Sequence, residues 1–433
     1  MSAAKTTGER ASQSAPARTG RGQLTELFTG GGRARRLTWL LVGLVLLFSV
    51  VRVISGEQAL TSSSTLSAAL LLAVPLALVA LGGLFSERAG VVNIGLDGMM
   101  ILGTWGAGWA GYQWGWGGAV VGGLIMGALG GLLHAIATVT FGVDHVVSGV
   151  AINILAGGVV RFLSETLYAN NPAGGGVTQS PPLSSRPPTF SLPVLSSGPD
   201  LLGDLEGKHW FLLSDLAGLL RGVTVGVGVL TVVAVLLIPA SYLVLWRTAF
   251  GLRLRSCGEN PAAADSLGVP VYRLKYIAVV VSGALSGLGG VFLVFIANIY
   301  REGQTNGRGF IGLAALIFGN WRPGGLAAGA GLFGFADALQ LRSQTAVVAL
   351  LLLVALLLAG VSVVQGLRGK RLQAVLAAVF AAAALAAFLT IDELPDGIVS
   401  FTPHITTLLV LSLASQRLRM PKADGLVYRR GEH

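Results

Sequence analysis

Gly251-Leu252-Arg253-Leu254-Arg255-Ser256-Cys257-Gly258-Glu259-Asn260-Pro261-Ala262-Ala263-Ala264-Asp265-Ser266-Leu267-Gly268 is a short polar insert between two long apolar runs, residues 222–246 and 274–297. Its reading decides the fold. Each flanking run is continuous and exceeds the ~20 apolar residues that cross a bilayer, so the insert reads as the turn between two spanning helices. Within it Asn260 is a good N-cap, Pro261 suits the first helical position, Ala262, Ala263 and Ala264 favour helix, and Gly268 supplies a left-handed stop. The expected product is a helix of about two turns, too short to stand alone in water. Two readings stay open: the helix tidies the turn against its own membrane domain, or it enters a groove of a soluble partner. In the second, Gly258, Glu259, Asn260, Pro261, Ala263, Ala264 and Gly268 form the contact set.

Composition agrees with a bilayer protein. Of 433 residues 53% are hydrophobic and 12% charged, with a mean hydropathy of +0.73, which excludes an ordinary water-soluble domain. The apolar windows do not alternate with polar residues, so helices rather than a barrel are implied. Most of the 62 glycines lie inside these windows, where small residues let helix backbones approach; Gly123, Gly127 and Gly131 share a helical face, as do Gly283 and Gly287. The net charge of +10 is scattered over loops rather than striped along one face, so it reads as a topology signal and not as a nucleic-acid footprint. One cysteine, Cys257, excludes an internal disulfide.

The fold class expected is all-α, a polytopic helical membrane protein with about 10–12 hydrophobic segments, some broken or re-entrant. Candidate spans are 37–54, 66–84, 92–112, 117–139, 145–163, 222–246, 274–297, 308–321, 324–341, 345–362, 372–390 and 398–416. The 308–321 window is short and stops at Trp321-Arg322-Pro323, which marks it as a re-entrant or half-crossing element buried in protein. Residues 1–36 read as a disordered basic cytoplasmic tail without a cleavable leader, 37–416 as the membrane domain and 417–433 as a cytoplasmic C-terminal tail. Orientation follows from two loops. Residues 247–275 carry Arg247, Arg253, Arg255, Arg273 and Lys275 against Glu259 and Asp265, which places them in the cytoplasm. Residues 164–221 are acid-rich and fall outside by parity, as an extended, irregular cap rich in Gly and Pro.

Polar residues within apolar windows are costly and so mark pathways or networks. Asn93 and Asp97 lie four apart on one helical face, and Asp97 reads either as a cap complementing a helix dipole or as a solute contact. Asn153, Asn306 and Asp337 complete the candidate substrate path; Asp337 has only Gln340 as a local partner. Glu87 and Arg88 read as interfacial, and Asp144 as the start signal of the span that follows it. No catalytic or metal constellation is expected: His134, His145, His209 and His404 lack ligand spacing.

The ordered motifs Ser86-Glu87-Arg88-Ala89-Gly90-Val91-Val92-Asn93-Ile94-Gly95-Leu96-Asp97-Gly98-Met99-Met100, Thr248-Ala249-Phe250-Gly251-Leu252-Arg253-Leu254-Arg255 through Gly258-Glu259-Asn260-Pro261 to Gly268, and Ser282-Gly283-Ala284-Leu285-Ser286-Gly287 resemble the membrane permeases of ABC importers for simple sugars and nucleosides. Gly309-Phe310-Ile311-Gly312-Leu313-Ala314, Gly319-Asn320-Trp321-Arg322-Pro323 and the Pro421 to Tyr428 ending extend the likeness, and Gly174 to Pro181 is similar to the nucleoside branch. Asp97 stands where the family more commonly has Glu. The resemblance implies one permease of a pair, the second being a different chain; two cytosolic ATPases, which use ATP-Mg and grip the short helices; and an external solute-binding lipoprotein. It also implies a site in the cytoplasmic (inner) membrane. No Gly-x-x-x-x-Gly-Lys-Ser/Thr phosphate loop occurs in the chain, so no cofactor is expected on it and the energy source lies elsewhere. The competing expectation is an ion-coupled secondary transporter using Asp97 or Asp337.

Overall fold

A computed structural model of the chain describes residues 33–169, 171–195, 198–342, 344–391 and 418–431. The expected tail over 1–36 falls, up to residue 32, outside the described residues, and so does the candidate span 398–416. Helix α1 (Arg33–Ser55) is followed by α2 (Ser63–Arg88), α3 (Leu96–Ala135, continued by a π-turn Ile136–Thr140) and α4 (His145–Leu167). The loop beyond α4 holds α5 (Leu201–Gly207) and α6 (Leu213–Gly222), with a two-residue antiparallel pair, β1 (Thr189–Phe190) and β2 (Val227–Gly228). Then come α7 (Val229–Arg247), α8 (Ala249–Glu259), α9 (Pro261–Ser266), α10 (Val271–Ala297), α11 (Arg308–Phe318), α12 (Pro323–Arg342), α13 (Gln344–Leu367) and α14 (Arg371–Thr390). Among the described residues seven helices are long and apolar enough to cross a membrane. The chain is a polytopic helical membrane protein.

The longest of the seven, Leu96–Thr140, is two arms of a helical hairpin rather than one straight helix. Gly115 has φ 72° and ψ −167°, a conformation that only glycine adopts without strain. The halves fold back on one another, with Gly106 against Gly122 and Met126 and Gly130 against Met99. This matches the two candidate spans 92–112 and 117–139. The glycine faces serve close packing: a Cβ on Gly283 would lie 2.3 Å from the Gly127 carbonyl oxygen, and one on Gly287 2.3 Å from that of Gly123. No side chain fits there, so α10 and the second half of α3 touch backbone to backbone. Around α2 a second core gathers Leu81, Leu84 and Phe85 with Leu245 of α7, Leu254 of α8, Leu316 of α11 and Phe333 of α12. Helix α14 stands at the periphery, tied to α13 by Ser362 Oγ donating to the Ala374 carbonyl at 2.8 Å.

The loop after α4 differs from the irregular cap expected over 164–221. It is a built lid: α4 runs on to Leu167 and α5 and α6 are helices. Its anchor is a buried ion pair, Arg52 of α1 to Asp215 at 2.7 Å, with both side chains at most 4% exposed. Thr61 Oγ1 donates to the same carboxylate at 2.6 Å and the Leu212 N–H at 3.2 Å, which satisfies a charge that burial would otherwise make costly. Arg221 holds Asp200 at 2.6 Å and Glu206 at 3.4 Å. Periodicity did not reveal this because the partner of Asp215 lies on the first helix. The expected span 222–246 accordingly begins later, at Val229, after the short β2.

Candidate functional site: a break in two helices at mid-bundle

After Arg88 the chain does not leave the bundle. Residues 89–95 form a non-helical link, with turns at 89–90 and 94–95, and the Asn93 amide donates to Ser282 Oγ at 2.9 Å, near the middle of α10. Helix α3 therefore starts in mid-bundle. A second chain end meets it there: the segment after α10 descends from the cap, and α11 begins at Arg308. The Gly309 N–H donates to Asp97 Oδ1 at 2.9 Å, and a Cβ on Gly309 would lie 2.3 Å from the Asp97 Cα. From this contact the first half of α3 runs to the cap, where Gly108 lies against Tyr300 and Ser180, while α11 runs the other way, to Trp321 beside Arg88. Two half-helices thus point their N-termini at one place. The dipoles of the two first turns make it locally positive, and Asp97, in the first turn of α3, accepts from the first turn of α11.

Each candidate path residue is accounted for. Asn153 of α4 accepts the Gly98 N–H at 2.7 Å through Oδ1 and donates to the Ile94 carbonyl at 3.0 Å, so one side chain pins the broken segment. Asp337 of α12 pairs with Arg308 at 3.0 Å; this partner, 29 residues away, was invisible to local reading. Asn306 is exposed, with a left-handed φ of 44°. Asn93 is fully buried, with its amide on Ser282 Oγ. The structure brings Asp97, Asn153, Asn306 and Asp337 to one region through the contacts Asn153–Gly98, Asp97–Gly309 and Arg308–Asp337. Thr305 and Arg308 lie in the segment 298–308, which the sequence allows as a vestibule lining or a solvated loop; sequence reasoning missed Phe310. Thr305 is buried beside Asp97 and the Phe310 ring is 47% exposed. The glycines around Phe310 were the available signal, since Gly307 and Gly309 free the backbone that presents it. The exposed Asn306 amide, the Arg308–Asp337 pair and the Phe310 ring are the polar and aromatic groups that this region offers.

The second candidate set lies at the opposite end from the cap. Asn260 Oδ1 accepts the Ala263 N–H at 3.0 Å, Pro261 opens α9, and Gly268 ends it with φ 78°, as the sequence predicts, though the helix has only six residues. The contact set divides. Glu259, Asn260, Ala263 and Gly268 are exposed and Pro261 partly so; Gly258 and Ala264 are buried. A Cβ on Gly258 would lie 2.4 Å from the Arg88 carbonyl oxygen, so Gly258 joins α8 to the end of α2. Leu267, 84% exposed, was missed. The residues after 418 strap this corner: the Ala423 N–H donates to the Gly258 carbonyl at 2.8 Å, and Arg430 meets Asp265 at 3.1 Å. Glu87, expected at the interface, is instead buried and accepts from Trp321 Nε1. Burial, and then the neighbouring Glu87 carboxyl, push Asp424 of the strap up to about 9; burial pushes the Cys257 thiol up to about 11. Asp144 caps α4 as read, accepting from Val146 and Val147 at 2.9 and 3.0 Å.

A family profile described as branched-chain amino acid transport system / permease component matches residues 65–361. The chain is 38% identical over 290 residues to the guanosine ABC transporter permease protein NupQ of Bacillus subtilis, covering 63% of this chain and 81% of the relative. It is 33% identical over 369 residues to the nucleoside ABC transporter permease protein NupC of Lactococcus lactis, covering 83% and 94%. It is 32% identical over 295 residues to a putative glucose ABC transporter permease protein, TsgC13, of Haloferax volcanii, covering 67% and 80%. No solved structure gives a significant match.

Proposed function

The chain belongs to the branched-chain amino acid transport system / permease component family, and from that premise we propose that it is the permease subunit of an ATP-driven importer of nucleosides. The observation that carries the solute class is the identity with NupQ and NupC over four-fifths or more of their length. A second permease, a different chain, completes the path; cytosolic ATPases supply the energy from ATP-Mg, so this chain binds no cofactor itself; an external lipoprotein delivers solute. The basic corner with α9 faces the cytoplasm, the cap faces outward, and both chain ends lie in the cytoplasm, with the protein in the cytoplasmic membrane.

The contacts supply a route for the stroke. Force on the exposed side of α9 reaches Gly258, which abuts Arg88 and Gly90. Residue 90 opens the short non-helical link that leads into α3 at Leu96, so displacement of α9 bears on the helix break at Asp97, seven residues on. Asn306, Arg308, Phe310, Asp337 and Asn153 line the path at that level. The Phe310 face takes the base, and the exposed Asn306 amide takes its edge or the ribose hydroxyls.

The test uses the outer face of α9. Ala263→Asp with Leu267→Asp, in cells carrying the whole system, is expected to cut guanosine uptake at least tenfold and to abolish co-purification of the ATPase, with the melting temperature of the purified chain unchanged. Unimpaired uptake refutes the coupling role. Uptake by the chain alone in vesicles, collapsed by an ionophore and indifferent to ATP, marks an ion-coupled carrier instead.

A further inference from the structure

Outside the path, a groove of about 600 Å³ opens between α7 and the start of α12, lined by Ile238, Pro239, Tyr242, Trp246, Arg322 and Pro323 among others. Its polarity is ordered along one axis. Ile238 and Pro239 lie in the middle of α7; Trp246 sits at its end beside Arg247. Eight residues of helix span about 12 Å, close to the ~15 Å hydrocarbon depth of one leaflet. The deep end is apolar, and Pro239, which has no N–H to give the Val235 carbonyl, interrupts the helix wall there. Tyr242 and Trp246, with rings stacked 5.7 Å apart, form the middle.

The shallow end is cationic. Arg322 lines it and is exposed. The guanidinium groups of Arg88 and Arg255 lie 5.3 and 5.4 Å from the Trp246 ring centre. Arg419 is drawn to the same corner by its N–H donating to Asn320 Oδ1 at 2.7 Å. Against these four stand Glu259, which is exposed, and Glu87 and Asp424, which are buried. Like charges crowded at a bilayer boundary repel one another, and an anion relieves that cost. Helix α7 is peripheral: Val233, Leu236 and Leu243 are 45, 59 and 56% exposed, the surface that meets acyl chains. A free anion would satisfy the arginines and leave the apolar groove empty. An amphiphile with its charge at one end and hydrocarbon at the other fills both.

We propose that this groove is a binding site for an acidic glycerophospholipid of the leaflet on the α9 side, with its phosphate at Arg322 and one acyl chain along Trp246, Tyr242 and Ile238. The site lies beside the Arg88–Trp321 contact, where the Arg88 guanidinium donates to the Trp321 carbonyl at 2.7 Å, so lipid occupancy bears on the corner where α2, α9 and the strap meet. The inference needs only a membrane protein and stands apart from the identity of the solute.

Native mass spectrometry of the full-length purified chain, offered phosphatidylglycerol or phosphatidylcholine in equal amounts, tests it. Phosphatidylglycerol is expected to be retained preferentially and to raise the melting temperature where phosphatidylcholine does not. Arg322→Gln is expected to lower that retention about fivefold, in line with the worth of one basic residue near a charged membrane surface, and Arg322→Lys to restore most of it. Trp246→Ala is expected to lower retention of the lipid further. Equal retention of the two lipids, or unchanged phosphatidylglycerol retention in Arg322→Gln, overturns the proposal. Displacement of the lipid by millimolar inorganic phosphate overturns it as well, since the occupant is then a free anion.

Discussion

Replacing Asn153 by Ala tests whether the helix break is held by one side chain. The substitution deletes the acceptor of the Gly98 N–H at 2.7 Å and the donor to the Ile94 carbonyl at 3.0 Å. An unpaired buried backbone group costs about 1–3 kcal/mol. Asn153 is half-buried, and water entering the vacated volume softens both losses, so the lower end applies to each and the total is about 2 kcal/mol. If the loss is local, the opening equilibrium of residues 94–99 rises about thirtyfold. Hydrogen exchange of the purified chain reads this directly. The control is the adjacent Ile154→Ala, a side chain 73% exposed, whose removal is expected to leave exchange at 94–99 unchanged. Guanosine uptake falls in Asn153→Ala and holds in Ile154→Ala. Equal protection of residues 94–99 in the two variants refutes the claim that Asn153 pins the break.

Gly287→Ala puts a methyl 2.3 Å from the Gly123 carbonyl oxygen and is expected to destabilise by about 1–3 kcal/mol through overpacking; Gly360→Ala, with nothing within 4 Å, is expected to be neutral or to stabilise by up to about 1 kcal/mol. Thermal melts of the two variants should therefore move in opposite directions or, at the least, separate clearly. The strap carries a pH dependence. Docking raises Asp424 from 3.8 to about 9, so the docked strap holds a proton that the released strap has lost. Its contribution is complete below pH 3.8, weakens progressively as pH rises, and is lost through about pH 9. Melting temperatures between pH 6 and 9 should decline less steeply in Asp424→Asn than in the native chain; parallel profiles refute the assignment. Truncation before Arg419 should make Cys257, now buried under the strap, react with maleimide at pH 7, whereas the intact chain resists.

Much of the fold was legible in the sequence because a bilayer imposes local rules. Apolar length marked the spans, and the short 308–321 window with its terminal Trp-Arg-Pro marked an element too short for a full span; α11 has eleven residues. Capping chemistry is equally local, so Asn260, Pro261 and Gly268 could be placed one by one. Four-residue glycine spacing marked the seam between α3 and α10, though not which helices it joins. The lid was misread as irregular because α5 and α6 show no long apolar period; they are held by ion pairs to distant chain, Arg52–Asp215 above all.

The sequence by itself determined that this chain is a bundle of spanning helices with one polar corner and a few misplaced polar residues, since hydropathy, caps and charge act over a few residues and need no partner. Only the tertiary structure decided what those polar residues do. Asp97 is satisfied by a backbone N–H 212 residues further along the chain, Asp337 by Arg308, and Gly258 by the end of α2. Such pairings are set by which helices pack side by side, and packing is a property of the folded whole that no local pattern encodes.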